Sequence, residues 1–135
     1  MRLAADANVL LSALIGGQAA RVLRDSAIEE VFTTEVTLSE VQEYAGQLAR
    51  KRRLAVDMVL LAAAALPITT LPRATYVSSI PEARRRISRR DPDDVDLLAL
   101  AIHLKIPVWS NDNDFENTGV VWYTTASLLA ILASK

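Results

Sequence analysis

The sequence predicts an α/β fold with three layers, α/β/α, in which a central parallel sheet is covered by helices on both faces. Short apolar runs bounded by polar residues alternate along the chain with longer segments of helical periodicity. The chain has 135 residues, of which 51% are hydrophobic and 23% charged, so it can bury one sizeable core. Because there is no internal repeat, low-complexity tract or linker, we expect residues 1–135 to form a single domain.

Five apolar runs predict the strands of this sheet, since each is only a few residues long. They lie near Arg2 to Ala5, Val31 to Thr33, Ile68 to Leu71, Pro107 to Ser110 and Val120 to Tyr123. The carboxyl ends of parallel strands meet at one edge of a sheet, and ligands bind at that edge in folds of this class. We therefore expect functional side chains directly after the strands.

Seven longer segments predict helices from their apolar periodicity. They lie near Asn8 to Leu14, Ala19 to Ala27, Val36 to Arg53, Ala55 to Leu66, Pro81 to Ile87, Pro92 to Lys105 and Ala126 to Ser134. Asp91 and Pro92 mark a helix start, because aspartate is a preferred N-cap and proline suits the first helical position. The last helix is apolar enough either to dock on the sheet or to pack against a partner helix.

The composition excludes several classes of site. The absence of cysteine excludes disulfides, thiolate zinc sites, iron–sulfur clusters and cysteine nucleophiles, and it fits a reducing compartment. A single histidine, His103, leaves little room for imidazole chemistry. With four glycines and no glycine-rich phosphate loop, a P-loop or dinucleotide-binding turn is also excluded.

The apolar segments are too short for a membrane protein. The longest run, Met58 to Leu66, has nine residues, whereas a membrane-spanning helix needs about 20. Asp6 stands where a signal peptide carries basic residues, so we expect no secretion signal. The sequence thus predicts a cytoplasmic protein with no membrane partner.

Two acids stand out by their positions. One follows a predicted strand, and the other lies on the apolar face of a predicted helix. Asp6 ends the first strand, where a turn or an N-cap would also explain it. In a helix from Pro92, Asp94 projects onto the centre of the apolar face, whereas Asp96 and His103 project onto the opposite, solvated face. Burying a carboxylate costs several kcal/mol unless it is paired or bound to a cation, which favours a functional role for Asp94.

Further acids come from two other segments. Glu40 lies at the border of the apolar side of the third helix, whereas Glu43 projects towards water. Asp112 and Asp114 follow the strand near residues 107–110, where a polar turn is the alternative explanation. A cluster of Asp and Glu without His or Cys suits Mg²⁺ or Mn²⁺, which can activate water for phosphodiester hydrolysis.

Four motifs, taken in their order and spacing over nearly the whole chain, resemble those of the PIN-domain nucleases. That family includes the toxins of VapBC-type toxin–antitoxin pairs. The motifs are Asp6-Ala7-Asn8, Thr37-Leu38-Ser39-Glu40-Val41, the segment from Asp94 to Ala101, and the segment from Val108 to Phe115. The resemblance implies one PIN-like domain over residues 1–135 with ribonuclease activity.

The resemblance also implies the roles of individual residues. The catalytic acids that hold the metal are Asp6, Glu40, Asp94 and Asp112, with Asp114 as a further ligand and Asn8 and Ser110 as supporting polar groups. The cofactor is one or two ions of Mg²⁺ or Mn²⁺, and the substrate is single-stranded or structured RNA. A homodimer is expected, and a cognate antitoxin is left open as a partner, so the chain is either a toxin or a stand-alone enzyme.

Two basic segments hold nine of the 15 lysines and arginines, and they predict the RNA-binding surface. They comprise Arg50, Lys51, Arg52 and Arg53, and then Arg84, Arg85, Arg86, Arg89 and Arg90. Solvated helix ends are the alternative. The net charge of −1 is thus a balance of separated acids and bases. Trp109 and Trp122 could stack on bases, but strand positions favour the core for both.

Two other functions fit the same residues. A non-catalytic RNA-binding or scaffold module would keep the basic segments without chemistry. A phosphatase with an aspartate nucleophile on the first strand is less favoured, because Asn8 replaces a second acid and the chain has only Lys51, Lys105 and Lys135.

Overall fold

The computed structural model describes residues 1–87 and 92–134. Its centre is a sheet of five parallel strands in the spatial order β3-β2-β1-β4-β5. The strands are β1 (Arg2–Ala5), β2 (Glu30–Thr34), β3 (Thr69–Leu71), β4 (Val108–Trp109) and β5 (Trp122–Tyr123). The predicted α/β class and parallel sheet are therefore confirmed.

Helices connect these strands, and all seven predicted helical segments are helical in the structure. The helices are α1 (Ala7–Leu14), α2 (Ala19–Arg24), α3 (Glu35–Lys51), α4 (Val56–Ala64), α5 (Arg73–Tyr76), α6 (Ile80–Ile87), α7 (Pro92–Leu104) and α8 (Thr125–Ala133). The structure differs mainly in helix ends, since α2 stops three residues before Ala27. Asp91, the predicted N-cap, lies outside the described residues.

The two faces of the sheet carry separate cores, as the alternation of side chains along a strand requires. Leu3 and Ala5 of β1 lie in one core with α1, α2 and α8, including the fully buried Leu128. Ala4 lies in the other core with α5, α6 and α7. The predicted three layers are thus present, and the last helix docks on the sheet, as one of its two interpretations predicts.

The surroundings of α7 correct one prediction. Asp96 was expected to face solvent, but only 5% of it is exposed, whereas His103 is exposed as expected. The projection assumed one buried face, but α5 and α6 cover a second face of α7, so residues 94–101 are all buried. The sequence did not predict α5, which is too short for periodicity to reveal.

Both tryptophans lie on strands. Trp109 is fully buried and donates from Nε1 to Thr125 Oγ1 at 3.0 Å, which confirms it as a core residue. Trp122 is half-buried and donates from Nε1 to the Ser110 carbonyl at 2.8 Å. Neither ring is therefore presented freely to a base.

The topology has one switch point, between β1 and β4. The chain adds β2 and β3 on one side of β1, and then returns to add β4 and β5 on the other side. Connections leaving β1 and β4 therefore separate there and open a crevice at the carboxyl edge of the sheet. Within the described ranges, every helix is too short or too polar to cross a lipid bilayer.

Candidate active site

Asp6 stands at the switch point, directly after β1. One carboxylate oxygen, Oδ1, accepts a hydrogen bond from the Ala7 amide at 2.7 Å and caps α1. The other oxygen, Oδ2, accepts a hydrogen bond from Ser110 Oγ at 2.7 Å. The Asp6 amide donates to the Trp109 carbonyl at 3.0 Å. Asp6 is thus an N-cap at the mouth of the crevice, and its role in metal binding stays a prediction.

Ser110 joins the ends of the two central strands. It is fully buried after β4, and besides donating to Asp6 its Oγ accepts a hydrogen bond from the Asp112 amide at 3.1 Å. The same hydroxyl therefore fixes both the Asp6 carboxylate and the start of the loop that carries Asp112. The predicted supporting role of Ser110 has a direct geometric basis.

Two asparagines hold the loop from the outside. Asn8 Oδ1 accepts a long hydrogen bond from the Asn111 amide at 3.4 Å, and Asn111 Oδ1 accepts one from the Thr125 amide at 2.8 Å. The loop is thereby tied to the first turns of α1 and α8. Asn111 was not among the predicted site residues, although an asparagine directly after a strand is a signal for such a turn.

The ionised form of the Asp6 carboxyl is disfavoured at this position. Burial raises the pKa of Asp6, the negative charges of Asp112 and Asp114 raise it further, and the hydrogen bonds from Ser110 and Ala7 only partly offset this rise. Two of the acids that sequence analysis assigned to the site therefore lie near enough to Asp6 to act on it.

Asp94 and Glu40 approach the same edge on two helices. Because β4 begins soon after α7 ends, the first turn of α7 lies at the carboxyl edge, and there Asp94 is only 8% exposed. Glu40 is half-buried on the second turn of α3, a helix that begins directly after β2 with Thr34 as its N-cap. The helix α3 contacts both α1 and α7.

The PIN-domain family model matches residues 5–133, a range that includes every acid of this site. The chain belongs to the PIN-domain family. A comparison with curated proteins found no match.

Solved structures of other PIN-domain proteins share the fold. VapBC2 from Rickettsia felis, solved bound to a DNA fragment from its promoter, superposes with a TM-score of 0.73 at 14% identity, covering 92% of this chain and 98% of that one. VapBC-1 from nontypeable Haemophilus influenzae superposes with a TM-score of 0.69 at 14% identity, covering 93% of this chain and 99% of that one. VapC20 from Mycobacterium tuberculosis is a sarcin-ricin loop cleaving toxin. It superposes with a TM-score of 0.61 at 19% identity, covering 88% of this chain and 96% of that one.

The donor atoms of this PIN domain suit a hard cation. They are carboxylate, hydroxyl and amide oxygens, the ligand types of Mg²⁺ and Mn²⁺, and a divalent cation would relieve the repulsion around Asp6. Among the side chains of residues 1–87 and 94–134, however, no three of Asp, Glu or His are grouped closely enough to hold a metal ion. The chemistry of the donors fits the expected metal, but the four acids are not gathered into a preformed cluster.

One residue of the second basic segment, Arg86, lies away from this edge. Arg85 and Arg86 both pair with Glu82, and Arg86 Nη1 donates to the Thr118 carbonyl at 3.1 Å. Arg86 also neighbours Lys105, next to the amino ends of β4 and β5 and thus at the opposite edge of the sheet. Arg84 is exposed, and the predicted RNA-binding residues Arg89 and Arg90 lie outside the described residues.

The first basic segment borders a groove that reaches Asn8. All four residues from Arg50 to Arg53 are exposed at the end of α3. A groove of about 490 Å³ runs between α1 and α3, and we call it the α1–α3 groove. It is lined by Asn8, Leu11, Ser12, Ile15, Tyr44, Gln47, Leu48 and Lys51. The groove thus connects the basic segment with Asn8 at the site.

Replacing Ser110 with alanine removes the hydroxyl that binds both Asp6 and the Asp112 amide. We expect Ser110→Ala to lower the free energy of unfolding by about 1–3 kcal/mol, because buried hydrogen-bonding groups lose their partner. The pKa of Asp6 should rise further, since its ionised form loses a donor. Urea denaturation and carboxyl-carbon NMR titration measure the two effects. Ser26→Ala, at an exposed position, is the control and should change stability by less than about 0.5 kcal/mol.

The raised pKa of Asp6 predicts a pH dependence of stability without metal. The folded state holds the Asp6 proton more tightly than the unfolded state, so this contribution is present in acid and is lost as the pH rises through the raised pKa. In EDTA, the wild type should therefore lose unfolding free energy relative to Asp6→Asn over the pH range above about 4, the ordinary pKa of an aspartate. Urea denaturation across this range measures the difference, with Asp57→Asn at an exposed position as control. A relative gain by the wild type would contradict the prediction.

Proposed function

We propose that this PIN domain is a metal-dependent endoribonuclease that hydrolyses RNA phosphodiester bonds with a water activated by Mg²⁺ or Mn²⁺. The observation that carries the proposal is the set of polar and acidic side chains at the switch point. There, Ser110 binds Asp6, and the charges of Asp112 and Asp114 act on the same carboxylate. A site of mutually repelling carboxylates at the crevice of a nuclease fold is suited to a divalent cation and a phosphate.

Each residue then has a distinct task. One or two ions would be held by Asp6, Glu40, Asp94, Asp112 and Asp114. A bound ion lowers the pKa of its water and offsets charge on the phosphate during in-line displacement. Ser110 keeps the Asp6 carboxylate aimed into the crevice, and Asn8 supports the loop through Asn111. The described side chains hold no preformed group of three acids, and a bound cation would attract the carboxylates to it.

RNA binding is proposed for the basic segments. Arg50, Lys51, Arg52 and Arg53 have the better position, since Lys51 and Asn8 line the same groove. Arg84, Arg89 and Arg90 are proposed as further phosphate contacts, whereas Arg85 and Arg86 are engaged with Glu82. Contacts of this kind give affinity that does not depend on sequence and that weakens with salt.

We further propose that the enzyme acts as the toxin of a toxin–antitoxin pair, inhibited by a segment of the antitoxin in the α1–α3 groove. The structural neighbours support this partner, since they include a toxin–antitoxin complex from Klebsiella pneumoniae with a TM-score of 0.65. The groove is mainly apolar, and α4 beside it exposes large apolar side chains, among them Met58 at 65% and Leu61 at 64%. Exposed apolar area of this kind marks a protein interface. The homodimer and the cytoplasmic location stay predictions from the sequence.

A second candidate is favoured by one observation. Because no three acids are grouped at metal-binding distance in the described part of the chain, a non-catalytic RNA-binding module also fits the geometry. Such a module would bind RNA equally well with and without divalent cations and would not cleave it.

Loss of a single acid should separate the two functions. We expect Asp6→Asn or Asp94→Asn to lower Mn²⁺-dependent RNA cleavage by about 100-fold or more, since even groups around metal ligands contribute 10- to 100-fold. Circular dichroism should show an intact fold. Mn²⁺ should also raise the melting temperature of the wild type but not of the variants, because only a folded state with its ligands gains from binding.

The control for this experiment is Glu116→Gln, an exposed acid after the loop of the site. Its cleavage rate should match that of the wild type within about twofold. Full cleavage by both Asp6→Asn and Asp94→Asn would overturn the proposed mechanism. Metal-independent RNA binding by a wild type that does not cleave would favour the second candidate instead.

A further inference from the structure

A buried polar network lies beside the site, and the metal chemistry does not use it. Asp96 Oδ2 accepts a hydrogen bond from the Tyr76 hydroxyl at 2.5 Å, and Tyr76 is fully buried. The same oxygen lies 3.4 Å from Arg73 Nε. Burial and the Asp96 carboxylate raise the pKa of Tyr76 above its usual range, so the hydroxyl stays protonated and keeps donating.

The network ties together the elements that carry the acids. The Tyr76 hydroxyl also lies close to the side chain of Thr34, the residue that ends β2 and caps α3, on which Glu40 lies. Asp96 follows Asp94 by two residues on α7. A movement of α5 would therefore affect both helices that carry acids, α3 and α7.

Arg73 has an unusual combination of anchoring and exposure. It follows β3 by two residues, so it stands at the carboxyl edge of the sheet, the edge that carries Asp6 and Asp94. Its Nε faces an Asp96 side chain that is only 7% exposed, whereas 55% of the Arg73 side chain is open to solvent. A buried carboxylate fixed by tyrosine thus restrains one side of the guanidinium and leaves the rest of the side chain facing outward.

This arrangement suits the recognition of a phosphate. An arginine fork binds phosphate oxygens in a fixed geometry, and an anchored fork loses less conformational entropy on binding than a free one. Its positive charge lies at an edge dominated by acids, where it would offset their repulsion of a polyanion. The two predicted basic segments do not contain this residue, because a lone arginine after a strand gives no charge run.

We propose that Arg73 contacts a backbone phosphate of the RNA at the edge of the active site, and that Asp96 and Tyr76 are positioning residues that hold its guanidinium for this contact. The inference rests on the proposed ribonuclease function and names a substrate contact at that same site.

RNA affinity without metal tests the contact separately from catalysis. The probe is a fluorescein-labelled single-stranded RNA of mixed sequence, and anisotropy is measured in EDTA over a range of salt concentrations. We expect Arg73→Gln to weaken binding about tenfold. The slope of log affinity against log salt should fall by about 0.7, the value for one phosphate contact on a single strand. Arg73→Lys should lose less affinity and keep the slope, because it retains the charge.

Two further variants test the positioning role. Asp96→Asn and Tyr76→Phe should each weaken RNA binding about threefold, because the guanidinium loses its restraint. In the Arg73→Gln background, Asp96→Asn should have no additional effect on RNA affinity, even though it still lowers stability. If Asp96 and Tyr76 had a purely structural role, the loss of RNA affinity would instead follow the loss of stability in both backgrounds. Urea denaturation of every variant provides that comparison.

The control is Arg2→Gln. Arg2 is also an exposed arginine held by a neighbour, since its guanidinium lies 5.0 Å from the centre of the Phe32 ring, but it stands at the amino end of β1. Its replacement should leave the salt slope unchanged. If Arg73→Gln binds like the wild type with the same slope, the inference is wrong and the proposed nuclease stands. If the wild type neither binds nor cleaves RNA, both are wrong.

Discussion

The hydrogen bond from Ser110 Oγ to Asp6 joins the ends of β1 and β4, and the arrangement of the other site groups depends on it. The two strands are neighbours at the switch point of the sheet, where the connections leave in opposite directions. A crevice therefore exists for topological reasons, and the hydroxyl determines which oxygen atoms face it. Through the Asp112 amide, the same atom positions the next acid along the chain.

The site is organised around negative charges that repel one another. Asp6 gains from capping α1, where the amino end of the helix favours a negative charge, but burial and two further acids act against its ionisation. A protein without a cation must tolerate this repulsion or protonate a carboxylate. Divalent cation binding would turn the same repulsion into affinity, which is why the metal is central to the proposed chemistry. Arg73 would then serve the substrate rather than the acids.

The sequence predicts the layers, the parallel sheet and the positions of Asp6 and Asp94, because these follow from periodicity and from the high cost of burying a carboxylate. Asp96 was misplaced by the same projection, since α5 and α6 cover the part of α7 in which it lies, whereas the end near His103 stays exposed. The covering helix, α5, has four residues and leaves no periodic signal. Arg86 shows a related limit, because only the packing of α6 on α7 carries it to the far edge. Contacts between distant segments decide all of these cases.

The proposed chemistry requires the acids at the carboxyl edge to share a bound cation. Paramagnetic broadening in NMR spectra during titration with Mn²⁺ tests this most directly, since broadening is greatest next to the ion. The signals of Asp6, Ser110 and Asp94 should disappear at substoichiometric Mn²⁺, while that of His103, exposed at the far end of α7, persists. Equal broadening at scattered surface acids, with Asp6 and Asp94 unaffected, would contradict the account.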